Sequence, residues 1–231
     1  MLAAIMTLSN ASLIFGAILS FGVFYLISQL LKNYCSIKIL DYSNYPYASF
    51  FIYIFVLDFF NYWAHRFMHE SKLLWTIHGF HQSATEMTML TALRDHPLER
   101  VILHFFKAIP AAILGMPIED YFFIAMFLQM IGFIKHSNIN SNFGIVGDYL
   151  IQSPMAHKIH HSSEPAEYGS NYASIFQFWD VLFGTAKNSN CNLNIEIGLG
   201  PNKILHGFVW EIVGVTKDFY KNLLCTINGK S

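Results

Sequence analysis

The chain is poor in charge. Asp, Glu, Lys and Arg make up 13% of its 231 residues, against about a quarter in an ordinary soluble domain. None of them occurs between Met1 and Leu31. The formal net charge is −1, so the electrostatic footprint of a nucleic-acid binder is missing. Cysteine is scarce too. Cys35, Cys191 and Cys225 are odd in number and far apart, which excludes a disulfide framework and a Cys-type zinc site. There is no internal repeat and no low-complexity tract. What the chain does have is 54% hydrophobic residues, 22 Phe among them, and 11 His. That balance excludes a disordered chain and argues against a soluble single domain.

The apolar residues fall into segments. Ala11 to Leu31 supplies the roughly 20 apolar residues that a spanning helix needs. It lacks the positive leading region of a secretory signal, so an anchor that stays is expected. Tyr47 to Ala64 is a second span, interrupted only by Asp58. A carboxylate there is costly in lipid and should turn inward or to the interface, while Tyr62 and Trp63 suit an interfacial belt. Val101 to Met116 and Tyr121 to Ile134 form a pair around a turn at Gly115-Met116-Pro117. A helix over the latter rises only about 21 Å, so the pair reads as two spans or as a shallow re-entrant hairpin. In both cases residues 65–98 and 135–186 share one compartment. Arg66, Lys72, Arg94, Lys135 and Lys158 lie on that side, against Lys32 and Lys38 on the other, which places it in the cytoplasm. Ser43 to Pro46 and Lys187 to Asn194 read as linkers. The expected architecture is all-α: a multi-pass integral membrane helical bundle under a cytoplasmic histidine-rich helical cap. It divides into an anchor and loop (1–46), a catalytic unit (47–186) and a polar C-terminal tail (187–231).

Three histidine clusters lie outside the apolar segments. They are His65-Arg-Phe-Met-His69, His78-Gly-Phe-His81 and His157-Lys-Ile-His160-His161. Residues three or four apart share a helix face, so each spaced pair is expected to chelate one metal, with His161 free to reach a second. Imidazole suits iron, copper, zinc or nickel, and seven clustered imidazoles favour two metals over one. His136 follows the fourth segment. His104 and His206 stand alone; His104, inside an apolar segment, reads as a buried polar residue near the site. A His-Glu-x-x-His protease helix is excluded because Arg66 stands where the Glu would be.

These residues resemble a family. Asp58 to His69, DFFNYWAHRFMH, looks like the first box of the fatty acid hydroxylase superfamily, which also holds sterol desaturases and alkylglycerol monooxygenases. Leu74 to Arg100 is similar to its second box and following arm, Lys135 to Asn138 to an H-x-N element, and His157 to Ser162 to the third box. Asn171-Tyr172 and Trp179 to Thr185 resemble its closing segment. The resemblance covers residues 50–186 and implies a non-haem centre of two iron ions, replaceable by zinc on purification, held by His65, His69, His78, His81, His136, His157, His160 and His161. His96 is a further candidate, as a ligand or as a neighbour of one. Asp58, Asn138 and Asp180 are candidates for fixing imidazole tautomers. One departure stands out. The family's second box ends in two histidines, and here Gln82 takes the last place, as a weaker ligand at most, with Glu86 the nearest carboxylate.

The activity implied is O₂-dependent hydroxylation of a lipid C–H bond. The alternatives are desaturation at the same site, or a metal-binding membrane protein impaired by Gln82. No cytochrome b5-like or flavin-binding segment is visible. Electrons are therefore expected from a separate partner of cytochrome b5, ferredoxin or flavoprotein type.

Overall fold

The computed structural model describes residues 18, 21–30, 44–187, 195–200 and 208–228. Most of the expected anchor, most of the Lys187 to Asn194 linker, Lys32, Lys38 and His206 lie outside them. Helix α1 is Phe21–Leu30. Helix α2, Pro46–Glu70, opens on a proline whose missing N–H costs nothing there. At 25 residues it is about 37 Å long. Among the described residues it is the one helix long and apolar enough to cross a bilayer. Its last turns carry His65 and His69.

Ser71 ends α2 and caps α3, Lys72–Gln82, its hydroxyl accepting from the Leu74 N–H. A 3₁₀ turn at Met89–Leu93 leads to α4, Pro97–Ile113. Gly115, at φ +70°, turns the chain in a conformation that glycine adopts without strain. Helix α5, Ile118–His136, is longer than its apolar run. It takes in Glu119 and Asp120 at its N-terminus and Lys135 and His136 at its C-terminus, each sign suiting its end of the helix dipole. Shorter helices follow: α6, Gly144–Tyr149; α7, Pro154–His160; and α8, Phe178–Leu182. The described part of the expected polar tail contains a helix, α9, Phe208–Ile227, packed against α3. No strand occurs among the described residues; Ser162 and Ile197 form an isolated bridge.

Two buried clusters hold these elements. Tyr53 and Leu57 of α2 meet Ala108, Ala111 and Ala112 of α4, Tyr121, Ile124 and Leu128 of α5, and Phe24 of α1. The alanines let helix backbones approach closely, as small residues do between membrane helices. The outward side chains are themselves apolar: Phe51 and Phe55 on α2, and Phe122, Phe123, Met126 and Met130 on α5, are exposed. An apolar exterior of this extent marks a surface meant for lipid or a partner. The second cluster joins Tyr62, Tyr172 and Trp179. Tyr62 is therefore no interfacial anchor. It is fully buried, with its hydroxyl 2.9 Å from Thr185 Oγ1.

Candidate metal centre

All eight predicted ligands converge, in two adjacent groups: His65, His69, His78 and His160, and His81, His136, His157 and His161. Within each group one nitrogen per residue lies within 4.8 Å of the others. The pairing differs from the expectation that each spaced pair shares an ion. His65 and His69 do share a group, but His78 and His81 are divided between the two, and so are His157 and His160. Helical geometry explains the difference. Residues four apart point about 40° apart around the axis, residues three apart about 60°. The wider divergence sends the two rings of α3, and those of α7, to neighbouring positions.

The outer ring nitrogens are held from behind. His65 Nδ1 lies 2.8 Å from Tyr172 O, His160 Nδ1 2.8 Å from Ser170 O, and His136 Nδ1 2.7 Å from Gly132 O. A carbonyl only accepts, so each Nδ1 carries the hydrogen and each Nε2 keeps a bare lone pair. Two carboxyl groups stand beside further rings: His78 Nδ1 hydrogen-bonds Glu99 Oε1 at 2.6 Å, and His81 Nδ1 lies 3.0 Å from Asp95 Oδ1 without hydrogen-bond alignment.

The inner nitrogens then face one another. His78 Nε2 is 2.9 Å from His69 Nε2, His136 Nε2 is 3.2 Å from His81 Nε2, and His157 Nε2 is 3.0 Å from His136 Nε2. Packed this closely out of water, the inner nitrogens form a donor set that suits a shared cation. His161 is fully buried and neither of its nitrogens has a hydrogen-bond partner, a costly state for a polar ring unless it binds an ion. The donor set thus fits two metal positions.

Burial also keeps the rings neutral and ready to ligate. It holds His78 down to about 4 and His160 down to about 3. His157 and His161 fall well below the ordinary histidine value for the same first reason, reinforced by neighbouring imidazoles. Burial works to raise the Asp95 carboxyl, but Arg100, with Nη2 3.0 Å away, and His81 hold it below the usual carboxylate range.

The other predicted residues lie at graded distances. Asp180 accepts from the Tyr172 and Ala173 N–H groups, both at 2.8 Å, and from Thr185 Oγ1 at 2.7 Å. Asp58 accepts from the Ile175 N–H at 2.9 Å, the Phe176 N–H at 3.0 Å and Trp179 Nε1 at 3.1 Å. Both therefore act through the loop 170–176, whose carbonyls hold His65 and His160, and touch no imidazole themselves. His96 is outside the groups. It caps α4 through Nδ1 and lies 3.1 Å from Thr216 Oγ1 of α9 through Nε2. Asn138 is exposed and lies 3.4 Å from Lys158 Nζ, so its expected hold on a ligating imidazole is not found. Glu86 is exposed. Gln82 is buried against the first group, its Nε2 2.7 Å from His160 Nε2.

Asp95 and Glu99 were not anticipated. Two carboxyl residues at the start of a largely apolar helix, Asp95 just before it and Glu99 in its first turn, were the available signal. The supporting carbonyls of Gly132, Ser170 and Tyr172 have no side-chain signature at all.

Two cavities reach the centre. One of about 630 Å³ is bordered by His69, Gln82, His160, Arg66, Trp75 and Tyr172, among others. A smaller one, about 170 Å³, lies on the other side, where Asn61, His104, Lys107 and Gln129 meet ligands of both groups.

The comparisons with known proteins agree with this geometry. The fatty acid hydroxylase family model matches residues 50–185. An ornithine lipid hydroxylase of Rhizobium tropici is 29% identical over 157 residues, 68% of this chain and 47% of that protein. The alkylglycerol monooxygenase of Homo sapiens is 31% identical over 134 residues, 58% of this chain and 29% of its own. A very-long-chain aldehyde decarbonylase of Oryza sativa subsp. japonica is 28% identical over 140 residues, 59% and 54%. The chain thus spans about half the length of these relatives, or less. No solved structure matches it. The matched segment contains all eight converging histidines and the loop that braces them, and the chain belongs to the fatty acid hydroxylase family.

Proposed function

We propose that the protein is a membrane oxygenase that hydroxylates a C–H bond of a lipid at a centre of two iron ions. The observation that carries this is the set of eight converging imidazoles, four of them with Nδ1 in a hydrogen bond on the outer side. The hydroxylase and monooxygenase relatives support the reaction class. The overall balance is R–H + O₂ + two electrons + two protons giving R–OH + H₂O. The electrons come from a separate cytochrome b5, ferredoxin or flavoprotein partner.

Bound iron would supply the redox chemistry that O₂ activation requires. The chain supplies everything else. Histidines 65, 69, 78 and 160 hold one position; histidines 81, 136, 157 and 161 hold the other. Glu99 hydrogen-bonds the Nδ1 side of His78 and Asp95 stands 3.0 Å from that of His81, so both orient those rings for ligation. Burial keeps bulk water from the reacting centre. The larger cavity has the volume of a small-molecule site and brings an acyl or alkyl segment to the first group. Its rim carries the Arg66–Glu70 ion pair, 2.7 Å, which suits a polar head group.

The catalytic unit is 47–186, with 1–46 as its anchor and the α9 segment as a brace within 187–231. The chain crosses the bilayer more than once, and the histidine-rich cap faces the cytoplasm. The exposed apolar faces of α2 and α5 support the first point. The second rests on Arg66, Lys72, Arg94 and Lys158; Lys135 adds little, being buried with Nζ 3.2 Å from Ala173 O.

The test is lipid analysis by mass spectrometry of membranes from cells expressing the full chain or its His157→Ala variant, grown with and without O₂. A lipid gaining one oxygen, in the wild type and with O₂ only, is expected. Loss of two hydrogens would redirect the reading to desaturation, and no O₂-dependent product would leave the impaired binding protein.

A further inference from the structure

The two metal positions are not alike. In the first group the Gln82 amide nitrogen lies 2.7 Å from His160 Nε2, 3.2 Å from His69 Nε2 and 3.5 Å from His78 Nε2. Gln82 is 4% exposed, so the amide is wedged among the inner nitrogens. In the second group, among the described residues, the inner nitrogens of His81, His136 and His157 meet only imidazole, and those of His161 meet nothing. The surroundings differ as well. His69, His160 and Gln82 border the 630 Å³ cavity, and no member of the second group does.

We infer that the centre is functionally asymmetric: the His65/His69/His78/His160 position, with Gln82, is the weakly held, exchangeable one where small exogenous ligands bind, and the other is a tightly held position that meets only the smaller cavity. The inference rests on the metal-centre reading above. A half-turn about the last side-chain torsion exchanges the amide nitrogen for its oxygen. The same residue can therefore donate to imidazole nitrogens or present a carbonyl to an ion. A neutral carbonyl is a poorer partner than imidazole for iron, cobalt or zinc and is displaced more easily. Displacement needs a route for the incoming group, and the larger cavity opens on this position alone.

The test is titration of the detergent-purified, metal-stripped full chain with Co²⁺, read by visible absorption against a competing chelator. Two ions binding in two steps are expected, the weaker by at least about tenfold, the scale on which metal sites respond to a changed supporting group. Gln82→His should strengthen the weak step at least about tenfold and leave the strong one in place. Azide added to the wild-type cobalt protein should perturb the spectrum of the weakly held ion only, a readout that does not depend on any variant folding. Two equal steps, azide acting on both ions, or unequal steps that Gln82→His leaves unchanged would overturn the asymmetry while sparing the metal centre. No cobalt binding at all would overturn the metal-centre reading and the inference with it.

Discussion

Asp58 and Glu99 are buried carboxylates that do different things. Asp58 accepts three hydrogen bonds, from Ile175, Phe176 and Trp179. In Asp58→Asn the new NH₂ faces N–H donors, leaving at least one buried donor unpaired, for about 1–3 kcal/mol. Thermal unfolding in detergent should show that loss, and metal retention should fall with it, because the loop that slackens holds His65 and His160. Glu99 touches a ligand directly, 2.6 Å from His78 Nδ1. Glu99→Gln exchanges the carboxyl group that holds His78 Nδ1 for an amide, so metal affinity should drop about 10–100-fold with little change in the unfolding midpoint of the stripped protein. Chelator competition measures this; an unchanged affinity would show that the contact only packs. The convergence of the eight histidines was legible, since clustered histidines at helical spacing bring their ring nitrogens together, an arrangement that suits a metal. Their distribution over two positions was not, because three-residue spacing straddles a boundary that four-residue spacing does not.

At the scale of elements, α9 was the part least visible. Its residues read as a mixed, polar stretch because only part of its surface meets another helix. What ties it down is His96, read from the sequence as a possible ligand. That ring caps α4 and reaches Thr216 Oγ1 at 3.1 Å, while Asn222 Nδ2 reaches Thr76 Oγ1 of α3 at 3.0 Å. Thr216→Val removes the His96 partner at a cost of about 1 kcal/mol. Amide hydrogen exchange along α9 should accelerate while bound metal stays constant. Loss of metal would instead mean that His96 acts on the centre. The long helices were easier, because apolar length needs no partner to be recognised. Even so α5 runs past its apolar segment at both ends, its charged terminal residues fitting the helix dipole.

For the whole molecule, topology carries the prediction. Helix α9 packs against α3, which carries His78 and His81, so Cys225 lies on the same side as the metal centre. Cys225 is partly exposed. In a variant keeping it as the only cysteine, a membrane-impermeant maleimide should label inverted vesicles and not intact cells. Labelling of intact cells would turn the cap outward. The all-helical architecture was legible from apolar segments and the lack of strand patterning, and the joined histidine boxes from their order. The bracing loop was not. It works through main-chain carbonyls and through Asp58, a residue that in sequence is only a charge interrupting a span.

The Asp58 contacts also bear on how the protein is made. The residues they join, 58 and 175, stand 117 positions apart. A chain emerges N-terminus first and its early parts settle before its late ones exist. The helix bearing His65 and His69 must therefore form before the Asp58 partners, residues 175, 176 and 179, have been synthesised. Bracing of the histidine cluster is consequently a late event in synthesis. A truncation between residues 162 and 174 would leave a fragment with all eight imidazoles and none of the Asp58 partners that brace them, a natural substrate for quality-control proteolysis.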